Sequence, residues 1–310
     1  MSFCAQTAPG REATGCSDMR TNAKLTAQVR DYWNRQVCGT RYGLSPDRAT
    51  YFSEVRRSRY ELEPYIEAFA DFASGRDKDV LEIGVGAGSD LVSWVRSGAR
   101  VTGVDIAEAA VSAASEHLAL EGLPGHRWSV RVADAQALPF PDGSFDIVYT
   151  WGVMMHIPDT AGAFRETFRV LKPGGILKAM VYREPSWVGW LLWARWCLLT
   201  LRPWRSVRWA ASRYLESPGT KVLRDRDWLA MLAACGFTDI RHRRQLSFGD
   251  LLVSGFKASE KYRSRVYSVA RWLYPRWLVR LTGNRFGLYL LIEARRPAEP
   301  TTRQSPSPAG

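Results

Sequence analysis

Residues 79–91 read Asp79-Val80-Leu81-Glu82-Ile83-Gly84-Val85-Gly86-Ala87-Gly88-Ser89-Asp90-Leu91. An apolar run meets an acidic residue and then glycine at alternate positions. Val80, Leu81 and Ile83 suit a strand buried on both faces. Gly84 and Gly86 open backbone angles closed to other residues and let a ligand approach the main chain. Residues 88–97 read as a helix, whose free N–H groups and dipole favour electronegative ligand atoms. The stretch therefore describes a buried strand turning tightly into a helix around a nucleotide-like ligand.

The dinucleotide fingerprint wants glycine at 84, 86 and 89. Position 89 is serine, the third glycine is Gly88, and Glu82 stands two residues before the first. Downstream, Arg100–Asp105 reads as a second strand ending in a carboxylate. Asp105 lies 21 residues after Gly84, near the spacing of about 20 for a ribose-binding acid. Val130–Ala135 reads as a third strand ending at Asp134, and Phe145–Trp151 as a fourth. Residues 171–177 close a helix and open a fifth strand. Singly, Asp105 or Asp134 is as well read as a solvated strand-end acid.

Taken in order, E-x-G-x-G-x-G and these strand ends resemble the small-molecule branch of the class I S-adenosylmethionine (SAM) methyltransferases, of the ubiquinone-biosynthesis-like, type-11 kind. The resemblance implies an α/β Rossmann-like seven-stranded sheet, with a helical N-terminal cap and helical lid insertions. Its last strand would be antiparallel and inserted beside strand six. It implies SAM as cofactor and S-adenosylhomocysteine as product. Glu82, Gly84, Gly86, Gly88, Asp105, Ile106, Asp134, Ala135 and Trp151 would hold the cofactor. Asp105 would take both ribose hydroxyls and Asp134 the adenine amine, with the next backbone N–H meeting the ring.

The remaining chain divides around this core. Residues 1–23 read as a disordered lead-in without an apolar signal core. Residues 24–75 read as a helical cap, 76–182 as the core and 183–224 as a first insertion. The core resumes at 225–245, with a helix over 225–234 and strand six near 237–244. Residues 246–284 form a second insertion, 285–296 the final strand and 297–310 a disordered tail. The five cysteines are scattered, with no C-x-x-C or metal-ligand spacing. This points away from a structural metal and toward a reducing, cytoplasmic setting.

Charge is unevenly placed within the overall +12. Residues 1–181 hold 20 basic and 22 acidic side chains, whereas residues 182–310 hold 23 and 9. Nine of the thirteen tryptophans also follow residue 181. Both insertions leave the sheet at the carboxyl ends of strands, where such sheets bind ligands. They are expected to form a lid over the cofactor and a small-molecule acceptor. Trp187, Trp190, Trp193 and Trp196 recur every three residues, and arginines follow at 202, 205 and 208. Three readings compete: a lid helix packed on the core, a wall for an apolar substrate, or an interfacial helix on the inner face of an anionic membrane. Nucleic acid ranks lower, because the charges lie within apolar helices.

Among four histidines, His156 follows strand four and is the candidate general base; structure is the competing role. His242 is expected to be exposed. Tyr32 and Cys38 belong to a segment that resembles a closing cap of some relatives. Tyr182, Trp187 and Lys221 are further lid or substrate candidates. Lys221 ends the loop Glu216-Ser217-Pro218-Gly219-Thr220-Lys221, read either as a contact for an anionic or hydroxylated group or as a helix-to-helix turn. Oxygen methylation of an apolar acceptor, with or without an anionic group, leads. Carbon methylation of an isoprenoid, quinone or indole-like substrate is the alternative. A SAM-binding membrane or partner module is the reading from another class.

Overall fold

The structure is a computed structural model and describes residues 12–252 and 274–298. An eight-stranded sheet runs β3-β2-β1-β4-β5-β8-β7, with the short β6 pairing only with β5. The strands are β1 (Asp79–Ile83), β2 (Arg100–Asp105), β3 (Trp128–Val132), β4 (Phe145–Trp151), β5 (Leu171–Glu184), β6 (Leu223–Arg224), β7 (Thr238–Gln245) and β8 (Tyr289–Arg295). Strands β1 to β5 pair in parallel, and β8 lies antiparallel between β5 and β7. This is the expected Rossmann-like sheet, with β6 added at the first insertion.

Crossover helices cover the faces. They are α4 (Ser89–Arg96), α5 (Glu108–Leu120), α6 (Thr160–Val170) and α9 (Asp225–Ala234). Val80, Leu81, Ile147, Val148, Leu177 and Ile292 are buried at the centre of the sheet. Such two-sided burial explains why these strands read as continuous apolar runs rather than alternating ones.

The N-terminal cap comprises α1 (Glu12–Arg35), α2 (Arg48–Leu62) and α3 (Tyr65–Ala70). Helix α1 corrects the expected lead-in: it begins at Glu12, just beyond Pro9-Gly10, and no later proline interrupts it. Residues 1–11 lie outside the described residues. The cap is fastened across the ligand edge. Asn34 Oδ1 accepts from the Ala109 N–H at 3.1 Å, and Arg59 makes a bidentate pair with buried Asp90 at 2.7 and 2.5 Å.

Three further boundaries moved. Strand β3 spans Trp128–Val132, two residues earlier than read, so Asp134 sits in the following loop. Pairing with β2 fixes the shift, because Asp105 already faces Val132 at the end of the ladder. Strand β5 runs on to Glu184, and β8 begins only at Tyr289. The first insertion forms α7 (Trp187–Trp193), a π-helical turn at 194–198 and α8 (Val207–Tyr214). Of the second, 253–273 lie outside the described residues. Its end forms α10 (Arg276–Leu281) and a tight turn at 283–286.

Candidate active site

The glycine turn has the backbone that its sequence requires. Gly84, Gly86 and Gly88 take φ of +82°, +51° and +79°, a region that strains side chains other than glycine. Space is also limiting. A Cβ on Gly84 would lie 2.1 Å from Val153 Cγ2, and one on Gly86 would lie 3.3 Å from the Cys38 carbonyl oxygen. The Cys38-Gly39 segment therefore packs against the turn.

Asp105 accepts from the Ala107 N–H at 2.9 Å and the Gly86 N–H at 3.3 Å. Burial raises its carboxyl, while backbone donors from Ala107, Gly86, Ile106 and Val85 act against this. Each oxygen keeps capacity for a further donor, and Asp105 and Ile106 stay partly accessible. Asp134 meets Gln136, whose backbone N–H donates at 2.9 Å and whose Nε2 donates to both oxygens at 3.1 and 3.0 Å. Ala135 is buried beside it. Glu82 is buried with an unpartnered Oε2, and burial, then Asp90, push its carboxyl well up. A partnerless buried oxygen at a ligand-facing strand end fits a polar donor arriving with the ligand. Carboxylates for sugar hydroxyls, a glycine turn without side chains and this open acceptor together fit SAM.

A second cluster stands on the same edge. The loop 216–221 after α8 meets the turn after β4. The Lys221 ammonium donates to the Ile157 carbonyl at 2.8 Å, the Pro158 carbonyl at 2.6 Å and Thr160 Oγ1 at 2.7 Å. Its backbone N–H donates to the Met155 carbonyl at 2.8 Å. Lys221 is thus a clamp between two loops, which corrects its reading as a substrate contact. Burial pulls its ammonium pKa down, as the cost of holding this cation away from water predicts.

The clamp places Glu216, Ser217 and Thr220 around His156. The buried imidazole has Nδ1 2.8 Å from Ser217 Oγ and 3.1 Å from Thr220 Oγ1. Thr220 donates its own proton to the Ser217 carbonyl at 2.7 Å, so toward the ring it can only accept. Ser217 can instead donate. Nε2 lies 3.2 Å from Glu216 Oε2, off the line of a hydrogen bond, so the contact is an ion pair only when the ring is cationic. The ring is therefore served in both states: neutral, with Ser217 donating to Nδ1, or cationic, with Nδ1–H donating to Thr220.

Glu216 is the candidate residue that sequence reasoning missed. Tyr182 donates to its Oε2 at 2.9 Å. Burial raises its carboxyl, but His156, Tyr182 and Arg41 outweigh that and hold it below the usual glutamate range. Its side chain remains 35% accessible, so the carboxylate is ionised, braced from behind and open in front. No motif marked it, because its partners come from β5 and from the turn after β4.

Aromatic rings cluster behind Glu216 and His156. Tyr182 stacks on Tyr289 at 5.8 Å, and Tyr289 meets Trp151 edge-on at 6.2 Å. Trp151 faces Tyr65 at 6.1 Å, and Trp33 meets the His156 ring edge-on at 5.4 Å. Cys38 reaches solvent, yet the protein atoms around it push its thiol up to about 11. Its charge neighbours there include Arg59, Glu216 and Glu63. A groove of about 820 Å³ leads from the surface past Tyr32, Trp209 and Arg213 to Glu216.

The other candidates are placed elsewhere. Trp187 donates from Nε1 to Thr282 Oγ1 at 3.1 Å and packs on Trp190 and Phe286. It joins the two insertions and contributes no ring to the aromatic wall around Glu216. His242 is exposed on β7. Among the described residues, no group of histidines, cysteines and acids converges to hold a metal.

Comparison with known proteins finds methyltransferases. A methyltransferase-domain family model matches residues 81–179. The demethylmenaquinone methyltransferase of Tropheryma whipplei is 31% identical over 235 residues, covering 75% of this chain and 92% of that protein. The sterol 24-C-methyltransferase erg6 of Aspergillus fumigatus is 38% identical over 177 residues, covering 54% of this chain. The chain spans less than half the length of the fungal sterol enzymes it matches, 45% of that one and 40% of another from Gibberella zeae. Geranyl diphosphate C-methyltransferase from Streptomyces coelicolor A3(2) shares the fold, with a TM-score of 0.55 at 19% identity over 88% of this chain and 98% of that one.

Proposed function

The chain belongs to the class I SAM-dependent methyltransferases, and we propose that it methylates carbon on a small apolar acceptor of the isoprenoid or quinone kind. Bound SAM supplies an activated methyl group; Asp105, the glycine turn and the segment at Cys38 would hold it. The chain's remaining task is to position the acceptor and move a proton.

The observation that carries the proposal is the depressed, braced carboxylate of Glu216 within aromatic walls. A base works best when its pKa approaches the operating pH. An ionised carboxylate held below its usual range is poorly matched to an alcohol or phenol. It suits the acidic hydrogen beside a cationic carbon, which forms when an alkene or electron-rich ring takes up a methyl group. Glu216 accepts that proton, while Tyr182 and His156 keep the carboxylate in place. The aromatic cluster of Tyr182, Tyr289 and Trp151 beside Glu216 would favour positive charge nearby. Related carbon methyltransferases named for sterols and geranyl diphosphate point the same way. Oxygen methylation, which led on sequence alone, gives way to this reading. His156 becomes a positioning residue and Glu216 the base.

The test uses SAM carrying a ¹³C methyl group, offered with geranyl diphosphate, a demethylmenaquinone and a sterol. A product methyl bonded to carbon in the NMR spectrum is expected, with turnover lost in Glu216→Gln and S-adenosylhomocysteine binding retained. A methyl bonded to oxygen would overturn the proposal.

A further inference from the structure

Between Glu184 and Glu216 the chain carries five arginines, six tryptophans and no acidic residue. It folds into a hairpin of α7, the π-helical turn and α8. Cys197, Ala210 and Ala211 bury the inner side. The turn at its tip faces the other way: Leu199 is 77%, Leu201 81% and Trp204 74% exposed. Scattered exposed apolar residues are ordinary, but several concentrated on one tip mark an interaction surface.

Among the described residues, no carboxylate lies within ion-pair distance of Arg195, Arg202 or Arg205. Arg195 lies over the Trp196 ring at 5.0 Å and Arg205 over Trp209 at 4.9 Å, so aromatic faces hold both guanidinium groups at the surface.

The backbone adds an independent observation. The helix ends with Arg202 N–H donating to the Cys197 carbonyl at 2.7 Å and Leu201 N–H to the Leu198 carbonyl at 3.1 Å. This is the paired closure of a Schellman motif, whose left-handed position is normally glycine. Here it is Leu201, with φ of +56°. The side chain at this strained position stands out in water, and strain that persists at such a position points to a function for it.

We propose that this tip docks on an anionic lipid bilayer. Leu199, Leu201 and Trp204 would enter the interface, with Arg195, Arg202 and Arg205 at headgroup phosphates. The contact is peripheral: no described helix is long and apolar enough to cross a membrane. Leading aliphatic groups favour lipid over nucleic acid, whose bases need flat partners. Helix α8 runs from this tip to the loop bearing Glu216, and the groove lies along it. A lipid-soluble acceptor would thus enter from the bilayer. This last consequence rests on the proposed function, whereas the docking itself does not.

The full chain is sedimented with vesicles of phosphatidylcholine alone and of equal parts phosphatidylcholine and phosphatidylglycerol. Binding to the anionic vesicles only is expected. Leu199→Ser with Leu201→Ser should weaken it at least about tenfold, with S-adenosylhomocysteine binding unchanged by calorimetry. Leu201→Gly provides a second arm. Glycine adopts the left-handed angle without strain, so this variant should melt no lower than the parent yet bind vesicles more weakly. The proposal is overturned by failure to bind anionic vesicles, by undiminished binding in both variants, or by retention on single-stranded RNA in place of vesicles. No acceptor or turnover enters these measurements, so they fail or succeed independently of carbon methylation.

Discussion

The two walls of the site are built on opposite plans. At the glycine turn, residues 84–88 carry their own geometry: three left-handed glycines follow a buried strand, and Asp105 closes on Gly86 from the next strand. At the Glu216 loop the local sequence dictates little. Its shape comes from Lys221 reaching three oxygens 61 to 64 residues away, and from Ser217 and Thr220 closing on His156 across a similar separation. The first wall is a local backbone device. The second is assembled by tertiary hydrogen bonds, and it holds the group with chemistry to perform. Damage at each should therefore be read by a different instrument: affinity at the turn, turnover and stability at the loop.

The largest effect is expected at the turn. Asp105→Ala removes the carboxylate that would accept from two ribose hydroxyls. Hydrogen bonds to charged groups are worth about 1.5–3 kcal/mol each, so S-adenosylhomocysteine affinity should fall on the order of a thousandfold by calorimetry. A variant that still binds within a few-fold would remove the ribose role. Next comes Glu216→Gln, which keeps shape and loses basicity. General-base loss costs about a hundredfold or more, so kcat should drop by that order while cofactor affinity holds. If affinity falls instead, the loop belongs to the cofactor wall and the contrast collapses.

The same contrast explains what the sequence disclosed. Glycines at 84, 86 and 88, Glu82 and the acid at 105 were legible because each acts through its own backbone position or at a strand end. The sheet order followed from alternation of strand and helix. Strand β3 was misplaced because Val130–Ala135 and Trp128–Val132 both mix apolar and polar residues, and only the ladder with β2 decides between them. His156 was visible as a histidine at the right edge, but its bracing was not. Glu216 looked like any loop acid, since a carboxylate is known by its partners, and here they come from Tyr182 and His156. Lys221 misled for the same reason: a basic loop residue suggests an anion until three oxygens are found around its ammonium.

Lys221→Met tests how firmly that loop is held. Three oxygens lose a charged donor in a half-buried site, and removing one side of such a network is costly. A loss of about 2–3 kcal/mol in denaturant unfolding is expected, with turnover falling further than S-adenosylhomocysteine binding. Equal losses in both would mean that the loop and the turn are one unit.

The smallest effect concerns pH and separates the base from its support. Glu216 is held below its usual range, so its ionised form contributes stability that is complete above the unfolded glutamate value of about 4.3 and is lost as pH falls through the lower folded value. The difference in melting temperature between parent and Glu216→Gln should be positive near neutrality and shrink on acidification below that value. Other carboxylates titrate alike in both proteins and cancel. His156→Gln acts one step back: without the imidazole, the Glu216 carboxyl should rise toward its ordinary value. The acid limb of kcat should then move to higher pH, because activity requires the ionised carboxylate. A merely structural His156 would lower kcat at every pH and leave the limb where it was. If the limb stays fixed, Glu216 is not the titrating base, and the braced carboxylate orients the acceptor instead.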